Sequence, residues 1–305
     1  MPTPHSHPAD AVVRARRTAR RLLSGTGSST VTAYHLDPRA PALLVAQALT
    51  SDGRLLVAAC PPGRSALAAV GVEKPVDVRL DVTLDASEPG IRITAATAHL
   101  LGRLSWLAED VESLLSSARA STCHCEITGG DPFERLAAVA SSPGGRLGRV
   151  RFERVVVHDV TGVSSHWLRE ILNPEGSPQD GRAPGAPVQE SPFEVWSPLR
   201  LLSAHEAVRR VGEIDLRAVC DGVREGGVPG VVCARRPTVG VCPSLWGRIL
   251  CVDVDPHGVT LMHVGGRETT TIHVAFERVP ATDREITAIL VDLAQRSAPA
   301  RPSRI

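Results

Sequence analysis

The 305-residue chain is predicted to be an α+β protein: an N-terminal β-barrel followed by a smaller α/β module of helices, β-meander and C-terminal helix. Three observations carry this expectation. Residues 76–84, VDVRLDVTL, alternate apolar and polar positions, the period-two pattern of a strand with one face in a core and one in water. Residues 251–297 read as three short apolar segments separated by turns and closed by one amphipathic helix. Between these regions lies NPEGSPQDGRAPGAPVQESP, 173–192, whose Pro, Gly and polar residues cannot bury enough apolar surface to offset their ordering entropy. It is read as a flexible linker, with Arg182 as its expected first tryptic cut.

The elements follow in order. Residues 1–10 form a Pro/His tail expected to be disordered. AVVRARRTARRLLSG is a helix that presents Val12, Val13, Ala15, Ala19, Leu22 and Leu23 to the protein and stops at Gly25. Its five arginines are read as a solvated face rather than an anion site. STVTAYHL, APALLVAQALT and LLVAAC are strands, the last two joined through SDGR as a hairpin. CPPGRSALAAVG breaks the strand at Pro61 and Pro62 and begins a short helix. GIRITAATAHLLGRL is the expected antiparallel neighbour of 76–84. LAEDVESLLSSARA and DPFERLAAVASS are helices, the second with Asp131 as N-cap and Pro132 at its first position. GRVRFERVVVHDVTGV returns to strands. Many short strands with few helices indicate a small barrel closed on itself, which removes its edges.

In the second module SAHEAVRRVGEIDLRAVCDGVREGG is helical, with Ser203 and Glu206 at capping-box spacing. ILCVDV, VTLMHV and TTTIHVAF are strands joined by DPHG and GGRE. Thr282 and Glu285 form a second capping box, and Ile286, Ile289, Leu290 and Leu293 make the stripe that packs on the sheet.

Composition narrows the function. A formal net charge of +1 gives no electrostatic footprint for nucleic acid or an acidic membrane. Aromatic residues are 3%, too few for the stacking platforms of single-strand binders. No apolar run reaches the ~18 residues that span a bilayer, and MPTPHSHPADAVVRARR lacks the apolar core of a signal peptide. A soluble, cytoplasmic chain is expected. Seven scattered cysteines do not make a disulfide framework. The Cys123-His124-Cys125 cluster alone cannot close a tetrahedral zinc site, so these are read as ordinary buried or strand cysteines. No P-loop, GxGxxG, HExxH or GxSxG is present.

The order of elements resembles the flavin-type split-barrel proteins, similar to pyridoxamine-phosphate oxidase, that carry a C-terminal DUF2470 domain. That group includes HugZ-like bacterial heme oxygenases and the plant glutamyl-tRNA reductase binding proteins. RARRTARRLLSGTGSSTVTAY and RVRFERVVVHDVTGV carry the likeness in the barrel. HGVTLMHVGGRETTTIHVAFERVPATDREITAILVDLAQRS carries it in the second module. The resemblance implies a split barrel over 12–172, the linker at 173–192 and a DUF2470-like α/β domain over 198–297. It also implies FMN or heme as the cofactor, and a homodimer paired through barrel faces.

Several of the family's features are absent. RVGEID, 210–215, stands where relatives carry a histidine-flanked stretch, and SAPARPSRI contains no histidine, where HugZ-like enzymes hold their iron ligand. CPPGRSALAAVGVEKP offers Arg64 and Ser65, and later the lone Lys74, but no Asn-Pro-type segment. Arg54, Arg64 and Ser65 are the candidate phosphate-binding residues, because arginine's planar fork suits an anion. His263 and His273, on consecutive strands, are the candidate histidine pair for heme. His99, His158 and His166 are read as ordinary strand histidines, and Asp159 beside His158 as without a role. Two classes stay open. One is a degenerate or cofactor-free binding or regulatory protein linked to heme metabolism, acting on a protein partner. The other is a HugZ-like heme oxygenase or FMN-dependent oxidoreductase.

Overall fold

A computed structural model describes residues 8–50, 52–108, 131–173 and 196–297. The expected helix at 107–120 beyond its first two residues, the Cys123–Cys125 cluster and almost all of the expected linker lie outside these residues. By contacts the described chain divides into two compact units, one of 11–84 and 96–173 and the other of 8–10, 85–95 and 196–297.

The first unit is a closed β-barrel. Its strands are β1 (Ser28–Thr32), β2 (Leu43–Leu49), β3 (Leu55–Ala59), β4 (Val76–Asp85), β5 (Thr94–Trp106), β6 (Arg146–Arg151), β7 (Arg154–Asp159) and β8 (Gly162–Trp167). They run in the order β4-β1-β2-β3-β6-β5-β7-β8, and a further β4–β5 pairing closes the wall. The second edge of β5 is shared. Residues 103–106 pair with β6 and residues 96–99 pair with β7, so the wall divides there.

The alternation of β4 is as the sequence predicts. Val78, Leu80 and Val82 are fully buried, while Asp77 and Arg79 face solvent. Inside the barrel they meet Leu55, Val57, Leu100, Leu104, Trp106 and Val150. Helix α1 (Pro8–Leu23) adds Ala19, Leu22 and Leu23 to the same cluster. Burial of each leucine stabilises the fold by about 1.5–3 kcal/mol relative to exposure. Helix α2 (Pro132–Ala140) covers the outside of β2, β3 and β6, with Phe133 and Leu136 on Ala48, Leu56, Ala58 and Leu147. Asp131 caps it as expected, accepting from Phe133 N–H at 2.8 Å. A five-residue helix α3 (Leu168–Leu172) follows β8.

Three local expectations need correction here. Helix α1 begins at Pro8, inside the expected tail, and Val12 is exposed. Its arginines are not a solvated face: Arg16 pairs with Glu170 at 3.0 Å, Arg20 donates to the Leu172 carbonyl at 2.7 Å, and Arg21 is buried. Residues 60–71 form turns rather than a helix. Two separate turn hydrogen bonds, from Ser65 N–H to the Pro62 carbonyl and from Ala68 N–H to the Ser65 carbonyl, organise the segment after the two prolines. Asp159, read as without a functional role, organises the β7–β8 turn: its Oδ1 accepts from both Thr161 N–H and Thr161 Oγ1.

The second unit packs three helices on a four-stranded sheet. The helices are α4 (Pro198–Val211), α5 (Glu213–Glu225) and α6 (Asp283–Ser297). The strands are β9 (Gly230–Pro237), β10 (Ile249–Asp255), β11 (Gly258–Val264) and β12 (Glu268–Ala275), in the order β10-β11-β12-β9. The core joins Ala204, Val208, Leu216, Val219 and Cys220 to Val259, Leu261, Ile272 and Val274, and to Ile286, Leu290 and Leu293 of α6. Thr282 caps α6 as predicted, accepting from Glu285 N–H at 3.2 Å.

Here the sequence reading changes in three places. The expected single helix is two, broken at Gly212 with φ 89°. Its N-cap is Ser197 rather than Ser203, which lies within α4 and donates to the Arg200 carbonyl. The meander also gains a fourth strand, β9. GVVCARRP hides its strand character because it is only partly buried and ends in two arginines and a proline, a composition that suits a sheet edge. Among the described residues no helix is long and apolar enough to cross a membrane.

Candidate functional site on the outer barrel face

The residues proposed from sequence are dispersed. Arg54 ends the β2–β3 turn, where it pairs with Asp52 at 2.8 Å and its N–H bonds to Thr50 Oγ1. The same turn holds the Asp52 carboxyl below its usual range, first through the Thr50 hydroxyl and then through Arg54. Arg64 and Ser65 come after β3. They are therefore separated from Arg54 by that strand's length, roughly 17 Å for five residues. Ser65 Oγ accepts from Ala68 N–H at 3.2 Å and organises its own turn, and Arg64 is exposed.

The two histidines are likewise apart. His263 pairs in register with Thr270, whereas His273 pairs with Thr260. The offset of three residues along β12 is odd, so the two side chains leave opposite faces of the sheet. His263 lies on the helix side, with Arg217 Nη1 at 3.2 Å from its Nε2 and Arg224 Nη2 at 2.9 Å from its Nδ1. Burial, then Arg224 and Arg217, push its pKa below the usual value. His273 is 8% exposed and its Nδ1 lies 3.4 Å from Thr260 Oγ1.

A group that the sequence reading passed over is assembled instead on the outer face of the barrel. The registers of β1, β4, β5, β7 and β8 place Thr30, Asp81, His99, His158 and Val163 on that face. His99 Nδ1 lies 2.6 Å from Asp81 Oδ1. The His158 ring meets the His99 ring edge-on, with centroids 5.2 Å apart. His99 Nε2 has no hydrogen-bond partner among the described residues. Arg79 Nε pairs with the other oxygen of Asp81 at 2.8 Å.

Beside this group is an open pocket of about 250 Å³ lined by Thr32, Tyr34, Arg79 and Leu101. Leu44, Leu101 and Val163 are exposed on the same face, at 72%, 63% and 67%. This arrangement has a defined chemistry. A carboxylate beside Nδ1 accepts a hydrogen bond from that nitrogen's N–H and leaves the lone pair on Nε2, the tautomer of an imidazole that ligates a metal or takes up a proton. One available signal was the polar alternate face of β4, which carries Asp81. The partner strand's register, which brings His99 to it, was not in the sequence pattern. Among the described residues no group of three or more His, Cys, Asp or Glu is able to hold a metal ion.

No family model matches the chain, and no curated protein matches it. Solved structures do. A heme-binding protein from Mycobacterium smegmatis is similar over 93% of this chain and 97% of its own, at 16% identity and a TM-score of 0.48. The protein Atu2129 of Agrobacterium tumefaciens str. C58, of unknown function, is similar over 96% of this chain and 100% of its own, at 20% identity and a TM-score of 0.30.

Proposed function

We propose that this chain is a binding or regulatory member of the split-barrel group, linked to heme, rather than a redox enzyme. The observation that carries the reading is the His99–Asp81 pair: an imidazole anchored at Nδ1, without a partner at Nε2, beside a pocket that contains Arg79. Heme fits this donor set. Its iron takes an imidazole nitrogen and its propionates suit a guanidinium. In this reading His99 is the ligand, Asp81 fixes its tautomer and Arg79 receives a carboxylate.

The enzyme alternatives have less support. An FMN phosphate bound by Arg54, Arg64 and Ser65 needs them together, and β3 lies between them. A heme held by His263 must displace a guanidinium from one of its ring nitrogens.

A second reading is favoured by the exposed Leu44, Leu101 and Val163. In it the same face docks a protein, either a partner or a second copy of this chain, and no cofactor is involved. Titration with hemin and with FMN separates the two. Heme binding gives an intense band near ~400 nm, a flavin one near ~450 nm. The expected result is a hemin band lost in His99→Ala and no FMN binding. A hemin band unchanged in His99→Ala overturns the proposed ligand. No binding of either molecule to the parent protein overturns the heme reading and leaves the docking one.

A further inference from the structure

The α/β module holds a second group of side chains whose hydrogen bonds do not balance. His263 stands near the end of β11, and both of its ring nitrogens face arginines of α5, Arg217 at 3.2 Å and Arg224 at 2.9 Å. A neutral imidazole has one N–H and one lone pair, and a guanidinium has only N–H groups. One of the two ring nitrogens therefore confronts a donor with a donor. None of the three side chains has a further partner among the described residues beyond two. Arg217 Nη2 donates to the Gly247 carbonyl, and Arg224 Nη1 pairs with Asp221 at 2.8 Å.

Charge is also unbalanced. Asp221 supplies one negative charge against the two arginines, while the neighbouring Arg248 is already paired with Glu213 at 3.2 Å. The three donors are held in place. Arg217 and Arg224 sit seven residues apart on one face of α5. Gly247, at φ 85°, turns its carbonyl to Arg217 just before β10 begins, and His263 is fixed by pairing with both β10 and β12. Trp246 and Ile214, exposed at 50% and 85%, lie next to Gly247 and one turn before Arg217.

We propose that Arg217, Arg224 and His263 form a binding site for a small oxyanion, the carboxylate or phosphate group of an organic ligand. An oxyanion that displaces one guanidinium from the ring takes that nitrogen's N–H and accepts from the same guanidinium at once. It removes the donor–donor confrontation and supplies the missing negative charge. Trp246 and Ile214 at the margin suit a ligand that carries an apolar group beside the anion. The site is built from residues of this module alone.

The test is a titration of the full chain with inorganic phosphate, and separately with benzoate, against sodium chloride at matched ionic strength. The readout is the ring-nitrogen resonances of His263, assigned by their loss in His263→Gln. The expected result is a saturable shift with phosphate or benzoate that chloride does not give. Arg224→Gln, checked for folding by circular dichroism, is expected to weaken binding about tenfold, the loss of one charge-assisted hydrogen bond. Benzoate binding more tightly than acetate, titrated in the same way, supports the apolar margin. Shifts that are unsaturable and equal in all three salts overturn the site, as does saturable binding unchanged in Arg224→Gln.

Discussion

Asp81 of β4 and His99 of β5 lie 18 residues apart in sequence and 2.6 Å apart in space, Oδ1 against Nδ1, on the open face of the barrel. The carboxylate orients the ring and directs its lone pair outward. Asp81→Asn keeps the shape but exchanges the anion for a neutral amide. Its hemin affinity is expected to fall by roughly 10–100-fold, the usual cost of losing such a partner. Hemin titration of the two proteins side by side checks it, and equal affinities refute the role.

Two histidines, His166 buried and His263 half-buried, make stability depend on acid. His166 is shifted below its usual value by burial and then by Arg16, and His263 by burial and then by Arg224 and Arg217. In each case the unfolded chain binds the proton more readily than the folded one. Their contribution is complete above the ordinary histidine value near ~6.5 and is lost as pH falls from there toward the lower folded values. The expected denaturation midpoint is flat from pH about 8 to 7 and declines below about 6.5. His263→Gln should flatten that decline. A midpoint that rises on acidification across this window contradicts the assignment.

Gly148 of β6 faces Trp106 of β5 across their pairing, inside the barrel. A Cβ there meets Leu104 Cδ1 at 2.7 Å and Trp106 Cε3 at 2.9 Å. Trp106 has little room to move, because its Nε1 donates to the Leu67 carbonyl at 3.3 Å and Arg146 lies 4.7 Å over its ring. Gly148→Ala is expected to destabilise the protein by about 1–3 kcal/mol through overpacking. Urea denaturation followed by tryptophan fluorescence measures it.

Asp131 ends the free N–H series of α2 by accepting from Phe133 N–H at 2.8 Å, with Pro132 at the first helical position. Asp131→Ala should cost about 1 kcal/mol. Because α2 covers the outer side of β2, β3 and β6, the loss should also appear as faster hydrogen exchange in those strands. Unchanged stability and exchange would show that the cap is dispensable.

In the docking reading, the outer barrel face pairs two copies of the chain. Leu44, Leu101 and Val163 are exposed there, and a two-fold contact buries each of them twice. Sedimentation at micromolar concentration is expected to give a dimer for the parent and a monomer for Leu101→Asp. A parent protein that sediments as a monomer refutes the pairing.

The amino-acid pattern by itself determined much of the local structure. Alternation specified β4, turn residues set off β10 to β12, and Asp131 and Thr282 marked the starts of α2 and α6, because these signals act within a few residues of one another. It missed β9, whose edge position leaves it with little apolar periodicity, and it merged α4 with α5 across Gly212. Which side chains meet was decided only by the tertiary structure. Periodicity gives the face of a residue and not its neighbour across a pair of strands, which depends on register and on how the sheet closes. Closure of β4 against β5 set His99 on Asp81. The strand between Arg54 and Arg64 kept the expected phosphate ligands apart. The β11–β12 register sent His263 and His273 to opposite faces, and the packing of α5 on the sheet set Arg217 and Arg224 against His263.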